Sequence, residues 1–203
     1  MKRFLNHVAA LSLISYAAPA LSATWVADGA HSAAHFKVKH MMVANVNGDI
    51  TGVEATVNID DKDIAKSTVE ATLDTASINT NNAKRDEHLR GADFFDVAKY
   101  PKIKFVSKKV TKAGKDKLKV LGALTIRDVT KDVTLNVEGP TASFKDPWGN
   151  MKRGLSASTE INRKDFGLTW NKALETGGVV VGDKVKIEIE MELQQQAEKK
   201  PAH

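Results

Sequence analysis

The residues able to do chemistry in this 203-residue chain gather in one stretch, "TNNAKRDEHLRGADFFDVAKYP" at residues 80–101, with two further histidines at His31 and His35. Arg85, His88 and Arg90 present two planar forks and an imidazole. That set suits a phosphate or carboxylate, because a guanidinium donates two parallel hydrogen bonds at once. The competing reading is that Asp86, Glu87 and the arginines satisfy one another, with an Asp86–Arg90 pair worth about 0.3–0.5 kcal/mol. His88, Asp86 and Ser32 are the residue types of a nucleophilic triad, yet the chain has no G-x-S-x-G elbow and no H-E-x-x-H. The glycines of "GGVVVGD" lead into a strand, so they cannot set a helix N-terminus on a phosphate. His31 and His35 have the spacing of a helical metal pair but lie on an extended segment, where four residues span about 13 Å. They cannot meet one zinc unaided. Without cysteine there are no thiolate ligands or nucleophiles. These residues point to recognition of a charged group rather than to an enzyme, with no metal and no cofactor expected.

The elements that must position them are strands. In "KVKIEIEMEL" Val185, Ile187, Ile189, Met191 and Leu193 share one parity and the charged residues the other, which describes a strand with one dry and one wet face. The same rule organises Ala34, Phe36 and Val38; Val53 to Ile59; Val69 to Leu73; Leu118 to Ile126; Val133 to Val137; and Leu155 to Ile161. The turns are expected at "NVNGD", "KAGKD", "KDPWGN" and "ETGG", all rich in Gly, Asn and Asp. Eight or nine strands result, and an antiparallel sheet of that size closes or splits. A lipid-facing outer-membrane barrel is disfavoured because aromatic girdles are missing, aromatics being 6% of residues. Residues 82–91 break the alternation. Asn81 or Asn82 offers an N-cap and Gly91 a stop for a helix of about two turns that tucks Leu89 inward. Phe94 and Phe95, adjacent and so unable to share one strand face, are expected to anchor this rim, one plugging the barrel end and the other packing elsewhere.

The beginning of the chain, Lys2 and Arg3 followed by "VAALSLISYAAPALSA", has the order of a secretory signal peptide over residues 1–23, with cleavage after Ser22 or Ala23. The barrel domain is expected over 24–193 and a disordered polar tail over 194–203. Loss of Lys2 and Arg3 lowers the formal charge from +5 to +3. Because lysines alternate with acids, nucleic acid is not an expected partner, nor is stable membrane insertion. Export implies a periplasmic protein, stabilised by packing without disulfides.

Four blocks carry a resemblance: "DGAHSAAHFKVKH", "NTNNAKRDEHLRGADFFDVAKYPKIKF", "GALTIRDVTKDVTL" and "WGNMKRGLSASTEINRKDFGLTWN…GGVVVGDKVKIEIE". In this order, from about Asp28 to Leu193, the chain resembles the YceI family of exported, lipocalin-like proteins. The resemblance implies an all-β, closed, eight-stranded antiparallel barrel with a short helix near its mouth, often dimeric. It also implies a polyisoprenoid, isoprenoid quinone or other amphiphilic lipid in the cavity.

Parity does not decide between a lined cavity and a filled core; small inward residues such as Ala34, Ala71, Gly122 and Ala157 leave room, and the resemblance favours the cavity. The expected lining is Phe36, Val38, Phe94, Phe95, Phe105, Leu124, Trp148, Phe166, Leu168 and Trp170, with Trp148 and Trp170 as readily filling a turn or barrel corner. Arg85, His88 and Arg90 are the head-group candidates. A solid-core, stress-protective interaction protein and an enzyme acting on a bound lipid remain the alternatives.

Overall fold

β11 (Val181–Gln195) organises the fold because both of its edges are paired. On one edge β10 (Met151–Asn162) runs antiparallel from Lys152 opposite Gln194 to Asn162 opposite Lys184. The other edge is shared end to end: β2 (Ala33–His40) covers Val181–Glu190, and β1 (Ala23–Ala27) covers Leu193–Gln195. β3 (Ala44–Ile50) then pairs with β2, and β4 (Glu54–Ile59) with β1. From β4 the ladder passes through β5 (Thr68–Asp74), β6 (Lys102–Gly114), β7 (Lys117–Ile126) and β8 (Val129–Glu138) back to β10. The two-residue β9 (Phe144–Lys145) shares the β8 edge of β10. Three end-to-end sharings therefore reduce eleven strands to a closed antiparallel barrel of eight positions, with the outer edge of β3 meeting the segment before α1 at the isolated Asp49–Asn79 bridge. The computed structural model describes residues 23–175 and 177–196. Residues 1–22 of the expected leader and 197–203 of the expected tail fall outside them, while Ala23 already belongs to β1.

Parity decides what lies inside. Val53, Ala55, Val57 and Ile59 are buried with Trp25, Met191 and Leu193 in one cluster, which runs down through Val57, Ile59 and Trp25 to the end of the barrel away from the helix, here termed the base. Phe105, Val120, Leu124, Ile126, Val137, Ala157 and Ile161 face the interior above it. α1 (Ala83–Arg90) begins where the Asn82 side chain accepts the Arg85 N–H and stops at Gly91, as its caps predict. Among the described residues no helix is long and apolar enough to cross a membrane.

Three expectations need correction. "NVNGD" is not a turn: residues 45–49 lie within β3, and the reversal falls at Met41–Val43. Gly48 serves packing instead, since a Cβ there would lie 2.4 Å from Phe36 Cζ. The last strand runs past Leu193, with Gln194 opposite Val26 and Gln195 opposite Trp25. Finally, Asp86 does not pair with Arg90; buried, it accepts the backbone N–H and hydroxyl of Thr80.

Candidate ligand cavity

The inward rows enclose a cavity of about 240 Å³ that extends along the barrel. Leu89, Phe94, Phe95 and Leu168 bound it at the helix end, and Val57, Ile59, Ile64 and Leu155 towards the base. Among the described residues, His35, Ser67, Thr159 and Arg163 are the only ones lining it with polar side chains. Two glycines set its width. The Phe36 ring lies over Gly48, and the Phe105 ring over Gly122, where an added Cβ would come within 2.3 Å of Phe105 Cζ. Gly122 thus does not widen the interior, because the neighbouring ring fills its space.

Of the expected lining, Phe36, Val38, Phe94, Phe95, Phe105, Leu124 and Leu168 border the cavity. Both adjacent phenylalanines do so because residues 92–95 form turns, where successive side chains need not alternate. Three residues do not. Trp148 is 85% exposed on the Asp146–Asn150 turn. Phe166 is packed in the core in the short 3₁₀ helix Arg163–Phe166, without reaching the cavity. Trp170 lies behind the lining, its ring 4.9 Å from His88 and 5.3 Å from Phe94. An aromatic in a strand-to-turn sequence has no parity to announce its direction, so its residue type alone was misleading.

The rim arginines are engaged by the backbone. Arg85 donates from Nε to the Thr80 hydroxyl and from a terminal nitrogen to Thr80 O, at 2.6 and 2.7 Å. Arg90 donates to Ala76 O and Ile78 O at 2.8 and 2.7 Å. The two forks fasten α1 to residues 76–80 through Nε and one terminal nitrogen each. His88 sits at the rim with Nε2 2.9 Å from Asp93 Oδ2 and its ring edge-on to Phe94.

Sequence reasoning overlooked Arg163, which is 3% exposed and borders the cavity. It donates to Gly182 O at 2.9 Å, to Trp170 O at 2.9 Å, to Val181 O at 3.3 Å and closely to Leu168 O. Burial pushes its pKa down, opposed by Asp183. The signal was available: Arg163 continues the inward parity of Leu155, Ala157, Thr159 and Ile161. Arg153 opens the same row at the base, forked on Asp61 at 2.8 and 2.7 Å with its guanidinium 4.9 Å from the Trp25 ring. Beside it, Lys152 Nζ bridges Asp28 and Glu192 at 3.0 and 2.9 Å. That contact, followed by the one from His31, lowers the Asp28 pKa to about 2. His31 and His35 have separate carboxylate partners, Asp28 and Asp49. Asp28, His31 and Glu192 bring three potential ligand atoms within 4.8 Å. The ammonium of Lys152 already bridges the two carboxylates.

The YceI-like domain matches residues 25–193 of the chain. UPF0312 proteins of Staphylococcus aureus strains MSSA476 and N315 are each 39% identical over 165 residues, covering 81% of this chain and 94% of theirs. The fold superposes on BcnA of Burkholderia cenocepacia with a TM-score of 0.70 at 25% identity, over 82% of this chain and 98% of that one. It superposes on the YCEI protein of Campylobacter jejuni at 0.65 with 34% identity, over 79% and 91%. A polyisoprenoid binding domain from Saccharophagus degradans, implicated in plant cell wall breakdown, gives 0.60 at 14% identity over 87% and 99%, a likeness of fold alone.

Proposed function

The chain belongs to the YceI-like family, and from that premise we propose that it binds the apolar chain of an amphiphilic lipid, a polyisoprenoid or isoprenoid quinone, inside the barrel and does no chemistry on it. The observation that carries this reading is the cavity: a continuous apolar lining in which the one charged group near the helix end, Arg163, is occupied by backbone carbonyls. Such a lining favours any chain it removes from water, and polar groups would set only orientation. The polyisoprenoid-binding domain that shares the fold suggests the ligand class.

The size of the cavity shapes the proposal. About 240 Å³ is below the roughly 300–1,000 Å³ of ordinary small-molecule sites. A long prenyl chain therefore enters by displacing the segment that holds Leu89, Phe94 and Phe95, or is buried over part of its length. That segment is attached through α1 rather than through the sheet, so it can move without breaking a ladder. The head group stays at the helix end, near His88 and Asp93. Export to the periplasm, read from the first residues, would place the protein between two membranes, where sequestering or carrying such a chain is useful.

Native mass spectrometry of the exported protein, followed by organic extraction, tests the reading. A released prenyl lipid at one per chain is the expected result, and Phe95→Asp should abolish it. A barrel that yields no lipid and takes up no added prenyl alcohol or prenyl phosphate would overturn it and move function to the outer surface.

A further inference from the structure

The β2–β3 hairpin turns at Met41, Met42 and Val43, which are 44%, 56% and 84% exposed. Met41 and Met42 have φ of 48° and 63°, consecutive left-handed residues of the kind that two-residue hairpin turns fill with Asn-Gly. Unbranched but bulky L-residues adopt this conformation at a cost. Turn chemistry was available four residues on, in "NVNGD", but those residues are paired in β3. The strained position therefore carries apolar side chains that neither stabilise the turn nor enter the core. The tip is tied to the neighbouring loop by its backbone, Met41 N–H donating to Val180 O at 2.8 Å.

Its place in the fold matters as much. Val38 lines the cavity, and His40 stands opposite Val181, whose carbonyl Arg163 holds together with those of Leu168 and Trp170. The tip thus projects at the helix end, beside the rim that Trp170 forms with His88 and Phe94. Lys37, Lys39 and His40 precede it, and no acid occurs from Lys37 to Gly48. On the adjoining loop the exposed Lys172 is offset by the exposed Glu175, so the positive charge comes from Lys37 and Lys39 on β2.

We propose that Met41, Met42 and Val43 form a membrane-docking tip that seats the helix end of the barrel reversibly on an anionic bilayer surface, so that a lipid chain passes between bilayer and cavity without crossing water. This rests on the lipid-binding reading of the cavity. Two properties select a bilayer over a second copy of the chain. Apolar side chains flanked by lysines match the acyl boundary and the anionic head groups above it. Three side chains on one narrow hairpin also fall far short of the roughly 1,200–2,000 Å² that stable protein interfaces bury.

Co-sedimentation of the protein with vesicles of phosphatidylglycerol and phosphatidylcholine tests the proposal, using the double variant Met41→Asn, Met42→Gly. Asn-Gly suits the left-handed positions, so the variant is expected to melt at the same or a higher temperature and to retain extractable lipid, while its vesicle affinity falls at least tenfold. Binding by the unaltered protein should weaken as salt rises. Absence of vesicle binding by the unaltered protein, or undiminished binding by the variant, would overturn the proposal. So would ultracentrifugation showing a dimer that the variant converts to monomer, which would assign the tip to a second copy. An equal loss on Trp148→Ser would assign docking to the other end. A protein that yields no lipid but docks through the tip supports the docking and overturns the cavity reading.

Discussion

Arg153 and Arg163 bracket the same inward row of β10, and the two ends of the barrel are closed around them in opposite ways. At the base Arg153 meets a carboxylate, lies on the Trp25 ring, and stands over residues packed solid, Trp25 at 2% and Leu193 at 0% exposure. At the helix end Arg163 meets backbone carbonyls of the segment that follows it, and the space between the two is the cavity. An ion pair stacked on an indole, inside strands paired on both edges, gives an end that opens only with the barrel. Arginine forks holding turns and a short helix by their carbonyls give an end that can release locally, because few ladder bonds cross it.

The comparison breaks most visibly at the base. Trp25→Ala should cost about 3–5 kcal/mol in urea unfolding, yet leave the rate at which a bound chain departs unchanged. Faster departure would make the base an exit and remove the distinction. Gly122→Ala probes the wall between the ends. Its Cβ would fall 2.3 Å from Phe105 Cζ and 2.7 Å from Val106 O, so about 1–3 kcal/mol of overpacking is expected. The displaced ring enters the cavity, and the lipid recovered per chain should fall. Unchanged recovery would show that the chain does not pass Phe105.

Acid sharpens the same contrast. Lys152, and less strongly His31, holds the Asp28 carboxyl at about 2 against an ordinary 3.8. A pKa lowered by folding stabilises the protein above the ordinary value and ceases to do so as pH falls through the lowered one. The base should therefore lose stability between about pH 4 and pH 2, by roughly 1–2 kcal/mol since Asp28 is 24% exposed. Lys152→Met should flatten that limb in acid titrations of unfolding. A limb of unchanged slope would remove Lys152 from the account.

Alternation made most of the barrel legible in the sequence, since a closed sheet forces every inward row to be apolar: the expected rows Val53–Ile59, Leu118–Ile126 and Val185–Leu193 all face inward. What it hid follows from the same physics. Arg153 and Arg163 lie on the inward parity of Leu155–Ile161, but a charged residue at the end of a row reads as the end of the strand. Gly48 read as a turn because glycine serves either a left-handed backbone or the close approach of a ring, and only the structure shows Phe36 over it. The rim was half legible. Caps located α1, whereas three of the four partners of Arg85 and Arg90 are carbonyls, which every sequence supplies and none advertises.

The smallest expected effect compares the two exposed hairpin tips. At the base, the Asp146 carboxylate accepts the N–H groups of Trp148 and Asn150 and the Asn150 side-chain amide, at 2.9, 2.8 and 3.0 Å. Gly149 takes the left-handed position, with φ of 95°. Every demand of that turn is met by a residue suited to it, and the indole of Trp148 adds nothing to its geometry. Trp148→Ser should therefore change the unfolding free energy by no more than about 0.5 kcal/mol in urea titrations. A loss above about 1 kcal/mol would mean that the indole is covered in solution, most simply by a second copy of the chain. The Met41–Val43 tip differs because its backbone demands are unmet by its residues, so exposed apolar side chains are there at the expense of the turn rather than alongside it.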